Sequence, residues 1–249
     1  VYALILSDLE GALPALPGNA DKFKVTKGAA LALLAQVHAT KPVPDYAKVV
    51  EYTDQLMGQG YSLLPNYDHL FDGNHTANAE SIFEINGNGG SIWWWGVFMF
   101  TGDDWKKFNT PSNDLVKAFN DEGDTVRKTS SVKFQAVGWA DSYWPSSNYP
   151  FAWKQRDTTG NQNIYILRYA DLLLLRAEAK VRLGDYTGAA ALVNQVRNRA
   201  GLGNINISGL EDGINKILHE RKLELAFEGQ RWFDLKRTGK ALEILKNRK

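Results

Sequence analysis

Apolar positions recur at helical spacing at both ends of the chain and lose that period in the middle. In the first zone, to about residue 64, Thr26 can cap a helix whose apolar run is Ala29, Ala30, Leu31, Leu33, Leu34 and Val37. Pro42 and Pro44 break it, because proline has no amide hydrogen to donate and clashes inside a helix. A second helix is predicted over 45–57, with Tyr46, Val49, Val50 and Leu56 inward and Gly58 and Gly60 closing it. The opening residues Val1 to Leu13 also read as a helix.

The third zone, 164–249, repeats the layout. Tyr169 to Leu183 is a predicted helix with Leu172, Leu173, Leu175, Ala179 and Leu183 among its apolar positions. Gly184 and Asp185 turn it into a partner, Tyr186 to Ala200. After a loop over 201–209, a helix from Ile214 to Glu228 and a shorter segment, Arg231 to Lys246, complete the set. The turn from Leu183 to Ala189 resembles the core of a tetratricopeptide repeat, with the glycine making the tight turn and Tyr186 packing back. Two helix pairs of the same layout predict a helical-repeat scaffold, and such scaffolds present surfaces to partners.

The middle zone, 65–163, differs. Ser81 to Asn86 alternates like a short strand, and the glycine- and asparagine-rich run 86–90 is a loop by composition. A short helix is predicted from Asp114 to Asn120, and a long irregular stretch follows. The predicted fold is therefore mainly α: a tetratricopeptide-like scaffold with a long, loop-rich insertion carrying short strands. A single domain over 1–249 is expected, divided at about 64 and 163.

Charge and cysteine content narrow the chemistry. The formal net charge is +1, too small to attract nucleic acid or an anionic membrane through the whole-molecule field. There are no cysteines, so disulfides, thiolate zinc sites and cysteine nucleophiles are excluded. No apolar run reaches the ~18 residues that a membrane helix needs. The chain starts at Val1, already inside a predicted helix, and is read as truncated or processed.

Catalytic constellations are missing. Glu220 and Glu224, four apart, share one helix face. A glycosidase instead needs its two carboxylates across the substrate from each other. With Arg221, Glu228, Arg231 and Asp234 they read as an ion-pair network locking the last helices together. His38, His69, His75 and His219 show no metal-ligand spacing, and no metal or cofactor is expected. No serine-hydrolase elbow, phosphate-binding loop or dinucleotide fingerprint is present.

The aromatic residues carry the sharper expectation. Sugars stack apolar C–H faces on flat rings and hydrogen bond through polar rims, and Trp and Tyr supply large contact area at low entropic cost. In the loop 86–109, Trp93, Trp94, Trp95 and Trp105 stand beside Asn86, Asn88, Asp103, Asp104 and Asn109. In the loop 139–153, Trp139, Tyr143, Trp144, Tyr149 and Trp153 stand beside Asp141 and Asn148. These nine rings are the candidate ligand contacts. Trp232, inside a helical segment, is expected in the core. Stacking on single-stranded nucleic acid also uses aromatics but wants a basic groove, and these loops are neutral to slightly acidic. A protein-interaction scaffold, or a binder of another nutrient such as peptide, is the competing reading.

The stretch ILHERKLELAFEGQRWFDLKR at 217–237 closely resembles the C-terminal signature of the SusD/RagB family of outer-membrane nutrient-binding lipoproteins. Four further segments resemble the family in its own order. They are Leu9 to Ala12 with Leu16-Pro17, Thr26 to Ala30, Phe119 with Asp124 and Arg127, and Arg168 to Ala179. The resemblance implies a non-catalytic, lipid-anchored protein on the cell-surface face of the outer membrane. It would capture glycan and dock on a TonB-dependent, SusC-like transporter, with ligand contacts from loops of the middle zone. Family members are longer and begin with a lipid-anchoring cysteine, which this chain does not carry.

Overall fold

The computed structural model describes residues 1–19, 21–87, 99–100, 102–139, 142–157 and 159–246. Helix α1 (Tyr2–Ala12) leads into α2 (Lys27–Thr40) and α3 (Tyr46–Met57). The caps are side-chain oxygens: Thr26 accepts the Ala29 amide at 3.3 Å and Asp45 accepts the Lys48 amide at 3.1 Å. Gly28 is required at the start of α2, because a Cβ there would run into the buried Tyr61 ring.

Strand β1 (Ser81–Ile85) follows, then α4 (Asn113–Glu122), α5 (Thr125–Ser131), β2 (Val132–Gln135), β3 (Tyr149–Ala152) and β4 (Ile164–Arg168). The strands form two separate antiparallel pairs. Strand β1 lies on β4, with Ser81 opposite Arg168, and β2 lies on β3, with Lys133 opposite Phe151. Helices α6 (Tyr169–Arg182), α7 (Tyr186–Arg199), α8 (Leu210–Glu224), α9 (Arg231–Arg237) and α10 (Ala241–Leu245) complete the described chain.

Helix α6 is the axis of the molecule, which explains its run of four leucines. Leu172, Leu175 and Ala179 pack with Leu31, Leu34, Val49 and Leu56 of the first pair. Leu173, Leu174 and Val181 pack with Val193, Val196, Ile214 and Ile217 of α7 and α8. A helix covered on both sides carries apolar residues on two faces. A third cluster sets Leu115, Phe119 and Val132 against Leu223 of α8, so the middle zone is anchored on the last helices. Mainly helical, repeat-like architecture with short strands in the insertion is what the hydrophobic pattern predicts.

Three details differ from the pattern. Helix α8 starts at Leu210, where Glu211 and Asp212 favour the positive end of the helix dipole, and ends at Glu224. Beyond it the chain turns through left-handed Phe227 (φ 66°) and Gly229 (φ 77°). The last predicted segment is broken into α9 and α10 at Gly239 (φ 75°). Trp232, expected in the core, is 53% exposed, next to Phe233 at 60%. The inward positions of α9 are Asp234 and Leu235, held there by ion pairs from Arg221 and Arg237, which turns the two rings outward.

Candidate functional site

The charged signature residues build an interior lattice. Arg168, at the end of β4, reaches Glu80 at 2.8 Å, Glu224 at 2.6 Å and Glu228 at 2.6 Å. Arg127 of α5 reaches Asp124 at 2.5 Å, Glu220 at 2.5 Å and Glu224 at 3.2 Å. Arg199 of α7 pairs with Glu80 at 3.0 Å and Glu224 at 2.5 Å. Lys154 donates to Glu228 at 2.6 Å and to the Glu224 carbonyl at 2.8 Å. A second knot joins Arg221 to Asp171 and Asp234, and Arg237 to Glu178 and Asp234. The sequence reading of an ion-pair network holds, with a wider reach: it ties the middle zone to the helices.

Burial alone would push the Glu224 carboxyl up, but Arg199, Arg168 and Arg127 outweigh it and hold the group well below the ordinary carboxylate range. Glu228 is likewise lowered against burial, by Arg168 and Lys154. Asp234 is lowered against burial by Arg221 and Arg237. Burial pulls the Lys154 ammonium down to about 8, although Glu228 opposes the shift. The three carboxylates are ions held by paired, hydrogen-bonded cations, which is how charge is tolerated inside a protein.

The candidate ligand surface lies around the β2–β3 pair. Alternation along β2 sends Lys133 and Gln135 to one face and Phe134 to the other. Lys133 pairs with Asp103, and the Gln135 amide donates to the Asp103 carbonyl at 3.0 Å, tying the loop 102–108 to that face. The Lys133 ammonium sits 4.3 Å from the centre of the Trp153 ring. Trp139 packs edge-on to Tyr149 at 4.7 Å and to Phe151 at 6.2 Å. Within the loop, Trp105 meets Phe108 edge-on at 5.8 Å, and Lys107 lies 5.3 Å from the Trp105 ring.

The hairpin therefore gathers the loop of Trp105 with Trp139 and Trp153, all half-buried, on the Lys133 face. Trp144 falls on the opposite face, against Phe134 at 6.2 Å, its indole donating to the Pro111 carbonyl at 3.0 Å. Tyr143, beside it, is exposed. Tyr149 is a correction: it is fully buried, so its ring floors the hairpin rather than facing ligand. Trp93, Trp94 and Trp95, with Asn88 and Asp141, lie outside the described residues. Sequence reasoning passed over Lys133 and Gln135, although the alternation Val132-Lys133-Phe134-Gln135 marks a strand. A separate groove of about 490 Å³, lined mainly by apolar side chains such as Leu33, Phe83, Ile166 and Phe233, holds none of the predicted rings.

The defining pattern of the SusD family matches residues 46–249. SusD-like protein P38 of Formosa agariphila is 47% identical over 92 residues, covering 33% of this chain and 18% of that protein. SusD-like protein P2 of the same organism is 29% identical, covering 98% of this chain and 57% of its own length. A solved structure described as a laminarin binding SusD-like protein superposes with a TM-score of 0.77 at 27% identity, covering 99% of this chain and 62% of that one. The chain thus spans less than two thirds of each of these relatives. With the family pattern running from the second helix of the first pair through the whole charged lattice, the chain belongs to the SusD family.

Proposed function

We propose that this chain binds carbohydrate without catalysing its cleavage, as a cell-surface, outer-membrane component that hands glycan to a TonB-dependent transporter. The observation that carries this reading is the β2–β3 face, where half-buried Trp105, Trp139 and Trp153 are set among Lys133, Asp103 and Gln135. Flat rings with polar groups at their edges suit a sugar's apolar face and hydroxyl rim. The kinship to a laminarin binding relative adds a substrate class, glucan, to the same reading. A glycosidase acid needs a raised pKa, and Glu224, Glu228 and Asp234 are all held low.

Native gels cast with laminarin and a panel of other soluble polysaccharides test the proposal. Retardation by a glucan, weakened about tenfold (~1.4 kcal/mol) in folded Trp153→Ala and Trp105→Ala variants, is the expected result. Retardation that both variants retain would move the site off this face. Migration unaffected by every polysaccharide would remove carbohydrate binding by this chain.

A further inference from the structure

The helical turn that follows the first helix pair carries a cluster that the carbohydrate reading does not use. A 3₁₀ turn over Tyr67–Leu70 is anchored in the interior: Tyr67, Leu70 and Phe71 are buried, and the Tyr67 hydroxyl donates to the Glu224 carbonyl at 2.8 Å. On its outer side, His69 and His75 stack with ring centres 3.8 Å apart and planes 6° from parallel. Asp72 lies between them in sequence, and one nitrogen of each ring and one carboxylate oxygen fall within 4.8 Å of one another.

We propose that His69, Asp72 and His75 form a binding site for a divalent cation of the zinc class. Two imidazoles and one carboxylate are the donor set of three-ligand zinc sites that keep a position open. Mixed nitrogen and oxygen donors also favour zinc, nickel or copper over calcium and magnesium, which want oxygen alone. The frame is built. Asp72 accepts the amides of Asn74 at 2.8 Å and His75 at 3.2 Å, and the Asn78 side chain donates to the His75 carbonyl at 2.7 Å. The carboxylate also lies 2.7 Å from His75 Nδ1, so these two donors are already side by side.

One movement is required. Ring nitrogens donate in the ring plane, so parallel rings do not converge on one ion. His75, 44% exposed, has room to swing, and a contraction of roughly 1.5 Å brings the donors to the ~3.3 Å separation of tetrahedral ligands. Such an ion would pin the 66–78 segment to the turn that Tyr67 anchors.

Tag-free protein titrated with zinc chloride by calorimetry, and with cobalt chloride by visible absorption, tests the site. Expected are one ion per chain, the intense cobalt bands of a site with fewer than six ligands, and binding at least tenfold weaker in His69→Ala and His75→Ala. Thermal unfolding without metal checks that the variants are folded, and Asp72→Asn, which preserves volume, provides a second route. No zinc uptake, calcium bound as tightly as zinc, or uptake undiminished in the doubly substituted His69→Ala/His75→Ala protein would each overturn the proposal.

Discussion

Arg168 and Lys133 are both cations placed among carboxylates and aromatic rings, yet they belong to different kinds of structure. Arg168 is 2% exposed, and its three carboxylate partners arrive from β1's flank, from α8 and from the turn after it. Lys133 is 36% exposed, with Asp103 and the Trp153 face as its company. Coulomb attraction strengthens as water is excluded, and so does the penalty for an ion left without its partner. The lattice therefore defines where segments lie, while the β2–β3 face keeps rings and polar groups accessible. The charged signature suggests chemistry but builds the frame; the β2–β3 face carries the proposed ligand surface.

The largest effect that sharpens this contrast is Arg168→Ala. It removes a cation shared by Glu80, Glu224 and Glu228 at once. The expected loss is about 3–5 kcal/mol in chemical denaturation, a large share of an ordinary domain's stability. A loss of about 1 kcal/mol would break the distinction between the two regions.

Acid should attack the same lattice. Glu224 and Glu228 are held below their ordinary value of 4.5 in the folded chain. Asp234 is held below its ordinary 3.8. Their contribution is complete above those unfolded values and is lost as pH falls below them. The melting temperature should drop steeply below about pH 4.5; a flat profile to about pH 3 would contradict the pairing.

Gly87 follows the end of β1 in a tightly packed position. Its amide donates to the Asn163 side chain at 3.1 Å. An added Cβ would overlap the Gln162 carbonyl and come 2.7 Å from that of Gly160, backbone atoms with little room to yield. Gly87→Ala should cost about 1–3 kcal/mol, read by thermal or denaturant unfolding. The smallest effect is Lys133→Ala, within about 1 kcal/mol in the same assay, because an exposed ion pair and cation–π contact are largely solvated.

Much of the scaffold was legible because helices are decided locally. Thr26 caps α2, Pro42 and Pro44 follow its end, and Gly184 (φ 84°) turns α6 into α7 as the sequence indicates. Helix α5 was not: TVRKTSS has too little apolar periodicity, and its Arg127 finds Glu220 from 93 residues away. Within the aromatic stretch, Tyr149 and Trp153 look alike in sequence. Pairing of β3 on β2 buries the first and leaves the second half-open beside Lys133.

The sequence by itself determined the helix pairs, their caps and turns, the family, and the fact that rings and acid–base pairs are abundant. Those properties depend on residues within about four positions of one another, where spacing is information enough. Only the tertiary structure decided which charges are interior ions, that Trp232 faces out while Tyr149 faces in, and that His69, Asp72 and His75 meet. Burial and donor geometry are set by which distant segments pack together. A lattice joining Glu80, Arg127, Arg168, Arg199 and Glu224 exists only once five separate segments have closed around it.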